Sequence, residues 1–140
     1  APIGEIGGAH FAHRHGADDR FLQIDTETYL GPSGHLDDVV NHSCDPNCGL
    51  RFDPDGRIFL IARRAIAEGE EVSWDYSTTS SSGRFSMRCL CGSSECRNVI
   101  GDFEFLDEAV QARYRDQGMI PPYLQQRVQA SPQHPAPLAA

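Results

Sequence analysis

The chain has 140 residues, 39% of them hydrophobic, which suits one domain with a single core of ordinary size. Its formal charge is −8 and all twelve basic residues are arginine, so no direct nucleic-acid binding is expected; an acidic surface attracts a basic, lysine-containing protein or peptide, or merely keeps the protein soluble. No stretch approaches the roughly 20 apolar residues of a membrane span, and the opening residues lack the basic start and apolar run of a secretory signal, so the expected placement is cytoplasmic, or nuclear in a eukaryote.

Residues 1–20 are rich in Gly, His and Ala without a sustained period and read as an irregular loop segment. Within them His10, His13 and His15 form H-x2-H-x-H, readable as a second metal site or as exposed loop histidines. "RFLQIDTETYL" (20–30) sets Phe, Leu, Ile and Tyr between polar residues and suits two short strands or a hairpin. "GPSGHLDD" is turn chemistry. "LRFDPDGRIFLIARRAI" predicts a β-hairpin, two apolar runs joined by Asp53-Pro54-Asp55-Gly56. The turn Ala67-Glu68-Gly69 leads to the strand "EVSWDY", and Glu68, Glu70 and Glu71 read as a solvated turn able to guide a basic substrate. A Ser/Thr/Gly loop (77–84) follows.

After Gly101 the period becomes helical through Phe105, Leu106, Ala109, Val110 and Tyr114, with Gly118 as C-cap. Pro121 and Pro122 open a second short helix through Gln129, and residues 130–140 read as a disordered tail. The class is mostly β, short irregular strands followed by a C-terminal helix.

The five cysteines are clustered and odd in number, which argues against a disulfide framework. Cys89-x-Cys91-x4-Cys96 is a compact knuckle in which Gly92 lets the backbone fold and three sulfurs converge. A structural zinc takes four tetrahedral ligands, so Cys44 or Cys48 must complete the set if the metal is real; metal-free loop thiols are the other reading. Cys44 beside His42 could also be a catalytic thiol, but nothing else in the chain supports that.

Three segments in fixed order, "NHSCDPN", "EGEEVSWDY" and "CLCGSSEC", resemble the signature of SET-domain protein lysine methyltransferases with a post-SET zinc knuckle. The resemblance implies a β-clip, SET-like fold of several small sheets with a pseudoknot-like core. Its expected parts are a core over 21–87, a post-SET knuckle over 88–101 and a helical segment over 102–129. It implies S-adenosylmethionine-dependent methyl transfer to lysine, with Asn41 and His42 binding the cofactor, Tyr76 as the catalytic tyrosine and Trp74 lining the lysine channel. It gives a structural Zn2+ to Cys44, Cys89, Cys91 and Cys96, and makes Cys48 a spare, buried strand thiol. The family's opening Gly-x-Gly strand should precede residue 20; this chain is expected to lack it, leaving core surface that a partner chain could cover. A catalytically silent SET-like module that binds a protein partner is the alternative.

Overall fold

A computed structural model describes residues 2–14 and 20–130. Among these, ten short strands run in chain order: β1 Pro2–Ile6, β2 His10–Phe11, β3 Leu22–Asp25, β4 Thr28–Leu30, β5 Asn41–His42, β6 Cys48–Phe52, β7 Ile58–Ala62, β8 Ser73–Trp74, β9 Ser86–Arg88 and β10 Val99–Gly101. They form four small sheets, ordered β1-β7-β6, β2-β4-β3, β5-β8 and β10-β9. All pairings are antiparallel except β5 with β8, which is parallel. Two helices follow, α1 Glu108–Asp116 and α2 Pro122–Ala130. The mostly β, many-sheeted architecture is the expected one.

The β6–β7 hairpin is the scaffold. Leu50, Ile58 and Leu60 are buried in it, and Cys48 pairs with Ala62 at its far end. Its loop is fixed by the Asp53 carboxylate, which accepts from the N–H groups of Asp55 (3.0 Å) and Arg57 (2.8 Å). Gly56 turns there at φ 81°, a left-handed conformation that glycine adopts without a Cβ penalty.

The helices cover this hairpin from one side. Phe103, Leu106, Tyr114, Met119, Tyr123 and Leu124 form a buried cluster with Ile61, and Phe59 and Val110 pack against it. Truncating one such buried aliphatic side chain to Ala typically costs about 2–5 kcal/mol. Met119 lies close over Gly49, where a Cβ would stand 2.4 Å from the sulfur. Helix α1 ends where Gly118 (φ 64°) donates to the Arg115 carbonyl and Met119 N–H reaches Tyr114 O. The C-terminal helices thereby clamp the segment that follows "NHSC".

Several expectations change. Residues 1–20 are not all loop: β1 pairs along β7 from Pro2↔Ile61 to Ile6↔Ile58, and β2 pairs β4. An edge strand is held by main-chain hydrogen bonds and needs no apolar period, so the pattern gave no warning. The strand of "EVSWDY" stops at Trp74; Asp75 instead caps a short 3-10 turn over Tyr76–Thr78. Phe105 belongs to a 3-10 turn before α1 and is 80% exposed, off the core face expected for it. His15 and residues 131–140 of the expected tail lie outside the described residues, and Ala130 ends α2.

Candidate active site and metal centre

The site is assembled where β5 and β8, 30 residues apart in the chain, lie side by side with Asn41 opposite Ser73 and His42 opposite Trp74. The stitch between them is Asn47, 2% exposed. Its Nδ2 donates to Glu70 Oε1 and to the Glu71 carbonyl, both at 2.9 Å, and its Oδ1 accepts from Ser73 N–H at 3.0 Å. Every hydrogen-bonding atom type of this buried amide is used, which makes the crossing of the two segments specific. Glu70 and Glu71 are therefore more than a solvated turn. Arg64 foremost, then Ala67 N–H and Asn47, hold the Glu70 carboxyl down at about 2, and Glu71 Oε1 accepts from Asn41 Nδ2 at 2.7 Å.

His42 joins two parts of the site. Its Nδ1 accepts the backbone N–H of Tyr76 at 3.1 Å, which leaves the proton on Nε2, 3.3 Å from Cys44 Sγ. Burial lowers its pKa to about 4, against the pull of Asp75. The 3.6 Å approach of Asp75 to Nδ1 is accordingly not an ion pair, because Nδ1 is already an acceptor.

Four sulfurs converge. Those of Cys44, Cys89, Cys91 and Cys96 all lie within 4.8 Å of one another, with Cys44 and Cys89 3.7 Å apart. Zinc bonds of about 2.3 Å put tetrahedral sulfurs about 3.8 Å apart, so the set fits that ion. The thiols differ electrostatically: burial pushes Cys44 up to about 12. At Cys91 burial also works upward, but N–H donors of Cys44 and Ser93 and the neighbouring thiols outweigh it and hold the group at about 6. Cys48 is fully buried in β6 and outside the cluster. The cysteines are the one His/Cys/Asp/Glu group among the described residues that could hold a metal; H-x2-H-x-H includes His15, which lies outside them. Asn98 takes the left-handed conformation (φ 63°), which asparagine tolerates, and its carbonyl accepts from Cys89 N–H at 2.7 Å, closing the knuckle.

A cavity of 490 Å³ opens between knuckle and β5, lined by Asn41, His42, Glu71, Tyr76, Met87 and Leu90 among others. A smaller one, 110 Å³, has Phe21, Tyr29, Trp74, Tyr76, Phe85 and Met87 in its wall. Tyr76 and Met87 line both. The Tyr76 hydroxyl donates to Val40 O at 2.8 Å, and its ring lies 4.8 Å from that of Trp74. Asn41, His42, Tyr76, Cys89 and Cys91 thus border the larger cavity, and Trp74 borders only the smaller.

Sequence reasoning missed a buried polar group behind them. Asp75, 1% exposed, accepts from Arg97 through both oxygens (2.8 and 2.9 Å), from Ser77 N–H (3.1 Å) and from the Tyr114 hydroxyl (3.0 Å). Arg97 N–H in turn reaches Cys44 Sγ at 3.4 Å. Burial, with Asp75 next to it, raises the Tyr114 pKa, which keeps the phenol a donor. No local pattern marks this group, because Asp75, Arg97 and Tyr114 are far apart in the chain and meet only through tertiary packing.

Residues 9–77 match the family model described as SET domain. A probable histone-lysine N-methyltransferase set-23 of Caenorhabditis briggsae is 34% identical over 88 residues, covering 59% of this chain and 36% of the relative. The rice histone-lysine N-methyltransferase TRX1 is 34% identical over 103 residues, covering 70% of this chain and 10% of the relative. The chain thus spans little more than a third, or less, of the length of these curated relatives. Among solved structures, KRYPTONITE in complex with mCHG DNA and SAH aligns with a TM-score of 0.55 at 25% identity, over 71% of this chain and 24% of that one.

Proposed function

We propose that this chain, whose residues 9–77 match the SET-domain family model, transfers methyl groups from S-adenosylmethionine to the side-chain amine of lysine in a protein substrate. The observation that carries this reading is that Tyr76 lines both cavities, one walled by Asn41 and His42 and the other by Trp74. An in-line displacement needs the attacking amine and the departing sulfur on opposite sides of the transferred methyl carbon, and a group bordering both cavities can hold them so; alignment is the largest contribution such a site can make.

When bound, S-adenosylmethionine supplies an electrophilic methyl group on a sulfonium. Asn41, held by Glu71 through Nδ2, keeps its Oδ1 for a cationic group of that ligand. The Tyr76 hydroxyl donates to Val40 O, which fixes the orientation of its oxygen; a phenol oxygen can orient an amine or make weak C–H···O contacts to a methyl group. Trp74, Tyr76 and Phe85 give the smaller cavity an aromatic side, and burial of an amine there beside a sulfonium favours its neutral, nucleophilic form. Cys44, Cys89, Cys91 and Cys96 would hold zinc as a structural ion.

The relatives named as histone-lysine methyltransferases support a basic, histone-type substrate, as does the charge of −8, and they fit a nuclear placement. No helix among the described residues is long and apolar enough to cross a membrane. These 140 residues contain no lysine, so lysine side-chain methylation does not act on them. The test is transfer of labelled methyl to a histone-like lysine peptide, with the Lys-to-Arg peptide as control. Equal label on both peptides defeats the reading. Absence of cofactor binding by calorimetry would instead favour a silent, partner-binding module.

A further inference from the structure

We infer that Tyr114, on helix α1, is a positioning residue for this site, acting through Asp75 on the segment that carries Trp74 and Tyr76. The inference rests on the methyl-transfer reading only for its kinetic consequence. Tyr114 is 1% exposed and its ring packs in the cluster with Ile61 and Leu124, a role that phenylalanine would fill as well. The hydroxyl is what packing leaves unexplained. It points at Asp75 Oδ2, 3.0 Å away.

A buried carboxylate is tolerated only when its lone pairs are met. Arg97 meets both oxygens and Ser77 N–H meets Oδ1, so Tyr114 supplies the second partner of Oδ2. Asp75 sits between Trp74 and Tyr76, and both flanking side chains line the smaller cavity. The anchoring point of the two rings is therefore the aspartate between them. Arg97, itself in the knuckle, extends the same network to the sulfur cluster, since its backbone N–H reaches Cys44 Sγ at 3.4 Å. Tyr114 lies beyond the family-matched residues 9–77, so one phenol joins an added helix to the strand, the turn and the knuckle.

The helix also reaches the site by a second route that the test must separate. Arg63 stacks over the Tyr114 ring at 5.0 Å and donates to Gln117 Oε1 and Pro46 O. Loosening the helix as a whole would act there too. Val110→Ala, which removes apolar contact from the same cluster without touching Asp75, is the control.

Tyr114→Phe and Val110→Ala are compared in the full chain, below the melting temperature of each. Tyr114→Phe is expected to lower kcat for methyl transfer about tenfold, with KM for cofactor and peptide within about twofold of the parent. Trp74 is the single tryptophan, so its emission should shift in Tyr114→Phe and stay parental in Val110→Ala. Parental kcat and emission in Tyr114→Phe would overturn the inference. So would an equal loss in Val110→Ala, which would make helix docking, not the hydroxyl, the cause. If the parent transfers no methyl, the functional reading fails separately and Trp74 emission alone decides whether Tyr114 positions the strand.

Discussion

His42 accepts the backbone N–H of Tyr76 on Nδ1 and presents its Nε2–H to Cys44 Sγ, so one imidazole spans the distance between the aromatic turn and the sulfur cluster. The bridge works only in the neutral tautomer, because protonating Nδ1 would set two N–H donors face to face.

That requirement gives a pH dependence. His42 falls from 6.5 to about 4 in the folded protein, mainly through burial. Above pH 6.5 it is neutral in both states and has no effect. As pH drops from 6.5 towards 4 the unfolded chain takes a proton that the folded chain refuses, and stability is lost over that window, by on the order of 3 kcal/mol in full. Urea midpoints between pH 7.5 and 4.5 should therefore fall more steeply for the parent than for His42→Gln. Metal content measured alongside removes the loss common to both proteins. Parallel slopes would show that His42 does not carry the effect.

Cys44 and Cys48 make a matched pair for testing the metal centre. The purified protein should carry about one zinc per chain. Cys44→Ser removes one of four converging sulfurs and should cost the metal and weaken cofactor binding together. Cys48→Ser leaves the cluster complete, and its buried hydroxyl should lower stability without lowering zinc content. Elemental analysis of both variants, with calorimetry of S-adenosylmethionine, checks this. Equal metal loss in the two would mean that the fourth ligand has been misassigned.

Asn47 should be costly to remove despite touching no ligand. Asn47→Ala leaves Ser73 N–H and the Glu71 carbonyl without their partner at the crossing of the two segments. Each unmet buried polar group costs about 1–3 kcal/mol, so a loss of about 2–5 kcal/mol in denaturant-measured stability is expected. A change below 0.5 kcal/mol, an ordinary surface value, would show that the crossing is held elsewhere.

Local chemistry explains which of these features were legible in the sequence. The β6–β7 hairpin was, because Asp53 and Gly56 encode its loop without help from the rest of the chain. The knuckle's three cysteines were too, being close in sequence. The choice of Cys44 over Cys48 was not a matter of spacing; it came with the family resemblance, and the sulfur of Cys44, not that of Cys48, converges with the other three. Strand β1 stayed hidden because its partner, not its own pattern, makes it a strand. The Asp75–Arg97–Tyr114 network was equally hidden. Nothing in "SWDY" says that its aspartate turns inward, and Tyr114 reads as one more apolar position on a helix. Contacts made by tertiary packing alone leave no local trace.

The central claim is that Tyr76 aligns amine and methyl donor between the two cavities. Its most direct measurement is single-turnover methylation of a lysine peptide by the parent and by Tyr76→Phe, with cofactor affinities taken for both and for Asn41→Ala. Tyr76→Phe keeps the ring, so fold and zinc should survive and the loss should fall on the rate, on the order of 10²-fold or more, with cofactor affinity little changed. Asn41→Ala should do the reverse and weaken S-adenosylmethionine binding first. A parental single-turnover rate in Tyr76→Phe would contradict the account, since Tyr76 would then be a packing residue.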